Sequence, residues 1–353
     1  MSDDHARRRY LTAKRSVDDR ARDRRVRDRL LRLLPNRPRV GEAGCGTGLA
    51  VPSLREWGVT PRSYHGVDTD PGIVTVARSL VPRALRRRGD DVTETATGCR
   101  LEVGDGSDDS DGNGDEAADA TVRFEAGDAL TALVEAAPPE GFDLLFAQSF
   151  LDLVPLGEAL DAFERALAPG GLAYAPLTFD GETIFLPEHP ADERVLGAFH
   201  ADIDATPGRD SRAGRHLLDR LRERDATIEA VAASDWVVRP VESGEYRADE
   251  RYFLASILEF VADADAVADV DGAAAWLDRR RRQLAAGELT YVAHGYDLLW
   301  RPGAAATGLR SSSEGETEDS IGTDTDTGAE VAVETEAETE SEAQHEAGGG
   351  VDR

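Results

Sequence analysis

The stretch Arg39-Val40-Gly41-Glu42-Ala43-Gly44-Cys45-Gly46-Thr47-Gly48 (residues 39–48) decides the fold. Its first half is a short, mostly apolar run around one acid, which reads as a strand. Its second half carries glycine at every other position, so the backbone can turn sharply and a ligand can approach it closely. LAVPSLREWG (49–58) continues as a helix, and a helix start offers unpaired N–H donors to whatever occupies the turn. A glycine-rich turn alone marks many nucleotide folds. A dinucleotide fingerprint would want Gly or Ala three places after Gly46, where Leu49 stands, and the lysine of a P-loop is missing too.

Working outward, the strand–helix rhythm repeats. SYHGVDTD (63–70) reads as a strand, and PGIVTVARSLVPRALRRR (71–88) as a helix opening on Pro71. VRFEAGD, helix ALTALVEAA and strand FDLLFAQ follow. LGEALDAFERAL is amphipathic, with Leu156, Leu160, Phe163 and Leu167 on one side, and Pro169-Gly170-Gly171 precedes strand LAYAPLTF. Such a series predicts an α/β fold, a doubly wound, mostly parallel sheet with right-handed crossovers. Downstream, 180–208 reads as a loop, 211–225 as a helix and TIEAVAASDWVVR as one strand. Helices are expected near 249–263 and 272–286, and a last strand within LTYVAHGYDLLWR. CRLEV (99–103) reads as a short strand at the edge of an Asp- and Gly-rich loop, 89–120. Upstream, 14–34 reads as a single helix striped by Val17, Ala21, Val26, Leu30, Leu31 and Leu34 and stopped by Pro35. The expected organisation is a helical cap (1–37), a main domain (38–301) with the acidic insertion (89–120) and a substrate-side insertion (180–216), and a disordered acidic tail (302–353).

Charge narrows the class. The 353 residues carry a net charge of −28, and Lys14 is the only lysine among 41 basic residues. This composition resembles the cytosolic proteins of salt-loving archaea. Physically, such a chain repels itself at low ionic strength, so stability is expected to require salt. The N-terminal segment is arginine-rich, but Asp18, Asp19, Asp23 and Asp28 are interleaved at ion-pair spacings, which favours a solvated face or a lid over nucleic-acid contact. Two cysteines cannot build a disulfide framework or a Cys-based zinc site, and no metal is expected. No run approaches the roughly 18 apolar residues of a membrane span, and the N-terminus lacks a secretory apolar core. A soluble, cytoplasmic protein is expected.

EAGCGTG closely resembles the first motif of class I S-adenosylmethionine-dependent methyltransferases, whose sheet has seven strands. Further segments match in order: VDTD at the second strand end, FEAGDAL, FDLLFAQSFLDLV and LAPGGLAY. The resemblance covers about residues 38–180, with a looser match at 10–35 and 226–301; the long acidic loop and the tail depart from it. It implies S-adenosylmethionine as cofactor, bound at the turn Gly44, Gly46 and Gly48. Glu42 would hold the methionine ammonium, Asp68 the ribose hydroxyls (Asp70 being the weaker substitute), and Asp128 with the Ala129 backbone the adenine. Gln148, Ser149 and Phe150 would line the methionine end and the acceptor mouth. Cys45 reads as a small residue at a crowded turn.

Methyl transfer needs alignment and exclusion of water more than acid–base help, so no catalytic residue stands out; His189 and His200 are the candidates if a base is used. Acceptor groups are sought at Tyr10, Asp152, Arg209, Arg212, Arg215 and His216, since the run GRDSRAGRH could pair with an anionic acceptor or simply with surface acids. The turn Gln148-Ser149-Phe150-Leu151 is not the Asn/Asp-Pro-Pro-aromatic turn of enzymes that methylate base amines, and neither cysteine is placed for cytosine C5 chemistry. A small-molecule acceptor is therefore expected. Two other readings stay open: a non-catalytic cofactor-binding or regulatory protein, and an NAD-dependent oxidoreductase, which Leu49 disfavours. Oligomeric state is not legible.

Overall fold

A computed structural model describes residues 3–102 and 119–303, with side chains from Arg8 onward. The tail from 304 and half of the acidic insertion, 103–118, lie outside the described residues. The chain opens with α1 (Asp3–Ala21) and α2 (Arg24–Leu33), then alternates: β1 (Arg39–Ala43), α3 (Ala50–Glu56), β2 (Ser63–Asp68) and α4 (Pro71–Arg88). A hairpin of β3 (Val92–Thr95) and β4 (Gly98–Leu101) precedes β5 (Ala120–Ala126), α5 (Ala129–Glu135) and β6 (Phe142–Phe146). A 3-10 turn (Leu151–Leu153), α6 (Leu156–Ala166) and the long β7 (Leu167–Leu186) follow, then α7 (Asp192–Ala205), α8 (Ala213–Glu223), β8 (Thr227–Ala233) and β9 (Trp236–Val238). The last elements are α9 (Glu250–Asp263), α10 (Asp265–Ala268), α11 (Ala273–Ala286) and β10 (Thr290–Arg301).

The ten strands form one sheet in the order β3-β4-β5-β2-β1-β6-β7-β10-β8, with β9 paired to β10. From β5 to β7 every pairing is parallel, and β10 then runs antiparallel between β7 and β8. The expected doubly wound sheet of seven strands is thus the path β5-β2-β1-β6-β7-β10-β8. Three strands are additional: the β3–β4 hairpin, antiparallel on β5, and β9. Side chains alternate between the two faces as strand geometry requires. Leu144 and Leu299 pack with Val51, Leu54 and Val74 on one side, while their neighbours Leu145 and Leu298 pack with Leu133, Phe163 and Leu217 on the other. A third apolar cluster joins α1, α7, α9 and α11 to the outer part of the sheet through Phe185, Phe253, Trp276 and Tyr291. No helix among the described residues is long and apolar enough to cross a membrane.

Four local readings change. The single helix expected over 14–34 is two. Asp23 leaves helical geometry, caps α2 by accepting from the Arg25 and Val26 amides at 2.8 and 3.1 Å, and donates its own amide to Asp297 Oδ2 at 2.8 Å. That long-range bond and the cap together outweigh helix continuity. The loop expected over 180–208 is instead the end of β7 followed by α7; Thr183 and Phe185 face inward while Glu182, Ile184 and Leu186 face out, so a half-buried strand hides behind charged residues. TIEAVAASDWVVR is two strands, β8 and β9, pairing with different halves of β10. The described margins of the 89–120 loop hold the β3–β4 hairpin, longer than the edge strand expected at 99–103.

Candidate functional site

The carboxyl ends of β1, β2 and β6 meet where the sheet order reverses, the place where open α/β sheets bind ligands. A cavity of about 480 Å³ lies there, roofed by α1 through Leu11, Lys14 and Asp18, with Arg22 just past its end, and floored by the turn after β1. Its size falls in the range of small-molecule sites.

The turn is built by glycines with different tasks. Gly44 and Gly48 sit at φ +68° and +76°; an added Cβ would lie 2.7 Å from Phe150 at the first and 2.7 Å from Val81 at the second. Gly46, at φ +50°, faces open space, with Leu11 the nearest atom at 3.7 Å. Gly46 therefore leaves the backbone bare toward the cavity, and Gly48 serves helix–sheet packing without lining it.

Two carboxylates flank the turn. Glu42, at the end of β1, is buried, and the Tyr64 hydroxyl donates to its Oε2. Burial, then the neighbouring charge of Asp68, raises its carboxyl well above the usual range; the Arg22 guanidinium pulls weakly the other way. Asp68, ending β2, accepts from the Gly46 amide at 2.9 Å through Oδ2 and from the Asp70 amide at 3.0 Å through Oδ1. Each oxygen keeps a lone pair for a further donor. Asp70 caps α4, accepting from the Gly72 and Ile73 amides. The pair Glu42–Asp68 thus crowds two acids at the cavity floor, where burial disfavours a second negative charge and a cationic amine with neighbouring hydroxyls would favour it. Burial and these same two acids hold the Cys45 thiol protonated, so it is no nucleophile.

Ala129 and Gln148 line the cavity, as do Ser149, Phe150 and Arg209. Asp128 is exposed, accepts from the Thr131 amide at 2.9 Å as the cap of α5, and stands just outside the lining. Ser149 holds a positive φ of 47°, and its amide donates to the Pro176 carbonyl at 3.1 Å. Non-glycine residues in that region are strained and cluster at ligand sites.

The remaining sequence candidates lie elsewhere. The Tyr10 ring stacks on Phe253 and meets Phe260 edge-on, between α1 and α9. Asp152 sits in the 3-10 turn behind the cavity, its carboxyl raised by burial. Arg215 grips Asp180 with Nε at 3.0 Å from both carboxylate oxygens, and His216 Nδ1 lies 2.6 Å from Asp210 Oδ2. His189, His200, Arg212 and Arg215 line a second, open hollow of about 550 Å³ between the end of β7 and α7. There His200 Nε2 bonds Thr183 Oγ1 at 3.0 Å, burial lowers its pKa, and His189 Nδ1 accepts from the Ala191 amide. Neither histidine lines the first cavity. Sequence reasoning missed Lys14, Asp18 and Tyr64. The signal was present for the first two: the chain's sole lysine, four residues before an acid, in a helix read as a lid. Among the described residues no cluster of His, Cys, Asp and Glu is arranged to hold a metal ion.

No family model matches the chain, and a search of curated proteins finds no match. Solved structures of similar fold do match. One is an S-adenosylmethionine-dependent methyltransferase from Geobacter sulfurreducens in complex with S-adenosyl-L-homocysteine: 15% identity, 83% of this chain and 98% of that one covered, TM-score 0.41. A second, from Thiobacillus denitrificans in the same kind of complex, shows 15% identity over 80% of this chain and 92% of that one, TM-score 0.41. The [4+2]-cyclase SpnF matches at 18% identity over 79% of this chain and 81% of that one, TM-score 0.38.

Proposed function

We propose that the chain is an S-adenosylmethionine-dependent methyltransferase acting on a small-molecule acceptor. The observation that carries this reading is the buried acid pair Glu42 and Asp68 at the ends of adjacent parallel strands, on either side of a glycine turn whose middle backbone is bare. Glu42 meets the cofactor's ammonium, with Tyr64 fixing its orientation. Asp68, braced by the Gly46 and Asp70 amides, accepts from the ribose hydroxyls. Gly46 lets the cofactor lie against the turn, and the Ala129 backbone with neighbouring Asp128 meets the adenine. When bound, the cofactor supplies an electrophilic methyl group on a sulfonium that is already a good leaving group.

The chain's own contribution is placement. The helix α1 covers the cavity and keeps water out, and Gln148, Ser149 and Phe150 at the end of β6 hold the acceptor in line. Bringing two reactants together in a dry site can supply most of such a barrier reduction. The limited space beneath α1 favours a small acceptor over a macromolecule. Calorimetric titration in molar potassium chloride tests the reading: S-adenosylmethionine is expected to bind at micromolar concentration and NAD not at all. Folded protein that binds NAD alone, or neither, retires it.

A further inference from the structure

The cavity is polarised from one end to the other. Glu42 and Asp68 crowd its floor, while Lys14 and Arg209, also in its lining, both pull on the carboxyl of Asp152 in the turn after β6, which places the two cations at that end. Arg15 and Arg22 line the cavity too, but both are held by Asp19, and Arg15 also by Glu56 at 4.0 Å. Lys14 and Arg209 are not used up in this way. Lys14 is 8% exposed, yet among the described residues its ammonium makes no hydrogen bond; Asp18 Oδ2 stands 3.7 Å away and the Trp236 ring 5.0 Å. Its Nζ is not cut off from water either, so its N–H donors meet the space of the cavity that it lines. Arg209 is exposed, and among the described residues its guanidinium has no hydrogen bond and no acid within 4 Å.

The loop between α7 and α8 explains why Arg209 is left over. Asp204 accepts from the Ser211 amide and hydroxyl at 2.7 and 3.0 Å, and Asp210 accepts from the Arg212 amide at 2.8 Å and meets His216 Nδ1 at 2.6 Å. The two acids nearest to Arg209 in sequence are thereby spent on the shape of the loop. The loop is also pinned to the turn after β6. The Asp210 amide donates to the Asp152 carbonyl at 3.1 Å, and Gly208, at φ +84°, lies so close to Pro155 that a Cβ would stand 2.9 Å from its ring. A firmly held loop thus keeps an unpaired guanidinium at the rim, beside the apolar surface of Phe150, Leu153 and Val154; Leu153 is 48% exposed.

Resting on the methyltransferase reading, we propose that Lys14 and Arg209 bind a carboxylate of the acceptor while its apolar body lies on Phe150, Leu153 and Val154, so that the acceptor is an apolar acid. The carboxylate is the handle and not the group methylated, because two cations draw on its electron pairs and leave it a poor nucleophile. Charge selects a carboxylate over a phosphate. Asp18, raised by burial to about 6, is ionised at neutral pH and takes up much of the Lys14 charge, so what remains at this end matches one negative charge better than two. In a chain of net charge −28, two cations without full partners on one wall also draw an anion to a place that the rest of the surface would repel it from.

The test is calorimetric titration of phenylacetate, phenylacetamide and phenyl phosphate into the full chain saturated with S-adenosylhomocysteine, in molar potassium chloride at neutral pH. Phenylacetate is expected to bind the parent at least about tenfold more tightly than the amide, and more tightly than phenyl phosphate. Arg209→Gln should cut the preference for acid over amide at least about fivefold, and so should Lys14→Gln. Arg209→Gln should also keep S-adenosylhomocysteine affinity within about twofold and melting within about 2 °C, since its exposed side chain supports no contact. A larger fall in its melting would assign Arg209 to the fold and overturn the proposal. So would an unchanged preference in either variant, equal binding of acid and amide by the parent, tighter binding of phenyl phosphate, or no binding of any probe at about 10 mM. Failure of the parent itself to bind S-adenosylhomocysteine removes the methyltransferase reading instead.

Discussion

Two hollows of similar size, one beneath α1 and one between the end of β7 and α7, handle their charges in opposite ways. Around the hollow between β7 and α7, the buried and half-buried polar groups have partners within the chain, Asp180 with Arg215, His200 with Thr183, and Asp192 with Arg280 and the Trp276 indole, while Glu182, Glu188 and Glu193 are exposed. Under α1, Glu42 and Asp68 crowd each other, Asp18 and Ser149 keep an unpaired oxygen, and the carboxyls of Glu42 and Asp18 are pushed up by burial. A hollow whose charges satisfy one another is a by-product of holding two elements together. One that keeps buried charges waiting is costly to the fold, and the cost makes sense only with a ligand in place.

The contrast can be broken from either side. Arg280 is fully buried beneath Phe185 and Trp276 and holds Asp192, whose carboxyl it keeps below the usual range. Arg280→Met should cost about 3 kcal/mol, because Asp192 is left without its partner; denaturant unfolding in molar salt checks this. A loss below about 1 kcal/mol would show that the second hollow is not held by its ion pairs. Next, Asp68→Ala should weaken S-adenosylmethionine binding by about 1–3 kcal/mol, and unchanged affinity in calorimetry would end its assignment to the ribose.

Glu42→Gln keeps a partner for Tyr64 and removes the charge, so it should sharpen the comparison. Because the folded-state pKa of Glu42 is raised, its penalty is absent at low pH and grows as pH rises. The variant should therefore melt above the parent at pH 8, match it near pH 4, and bind the cofactor about tenfold more weakly. A variant less stable at pH 8 would place Glu42 among the residues that serve the fold. The smallest effect belongs to the other hollow. His200→Gln should shift stability by less than about 0.5 kcal/mol and leave cofactor affinity within twofold, measured by the same two methods.

The parallel half was legible because its information is local. Strand, turn and helix follow within a few residues from Arg39 to Tyr174, and the acids that matter stand at strand ends. The rest depends on partners far away in sequence. The break between α1 and α2 is made by Asp23 reaching Asp297, and the end of β7 is a strand because β10 lies beside it. Asp18 looked like half of a surface ion pair with Lys14, four residues before it. That pairing exists, at 3.7 Å, but burial by Trp236 and Gln148 turns a solvated face into the roof of a cavity. The arginines of GRDSRAGRH looked like an anion site, yet Asp180 occupies Arg215.

One residue has a practical consequence for following this molecule in solution. Lys14 is the only lysine in the chain, and its amine lies 5.0 Å over the Trp236 ring at the cavity wall. An amine-directed reagent therefore has a single lysine side chain to modify, and it stands, 8% exposed, on the wall of the cavity. Labelling of Lys14, followed by peptide mapping so that the α-amino group is read apart, reports on the cavity: whatever fills it slows the reaction, and neither mutation nor knowledge of the acceptor is required.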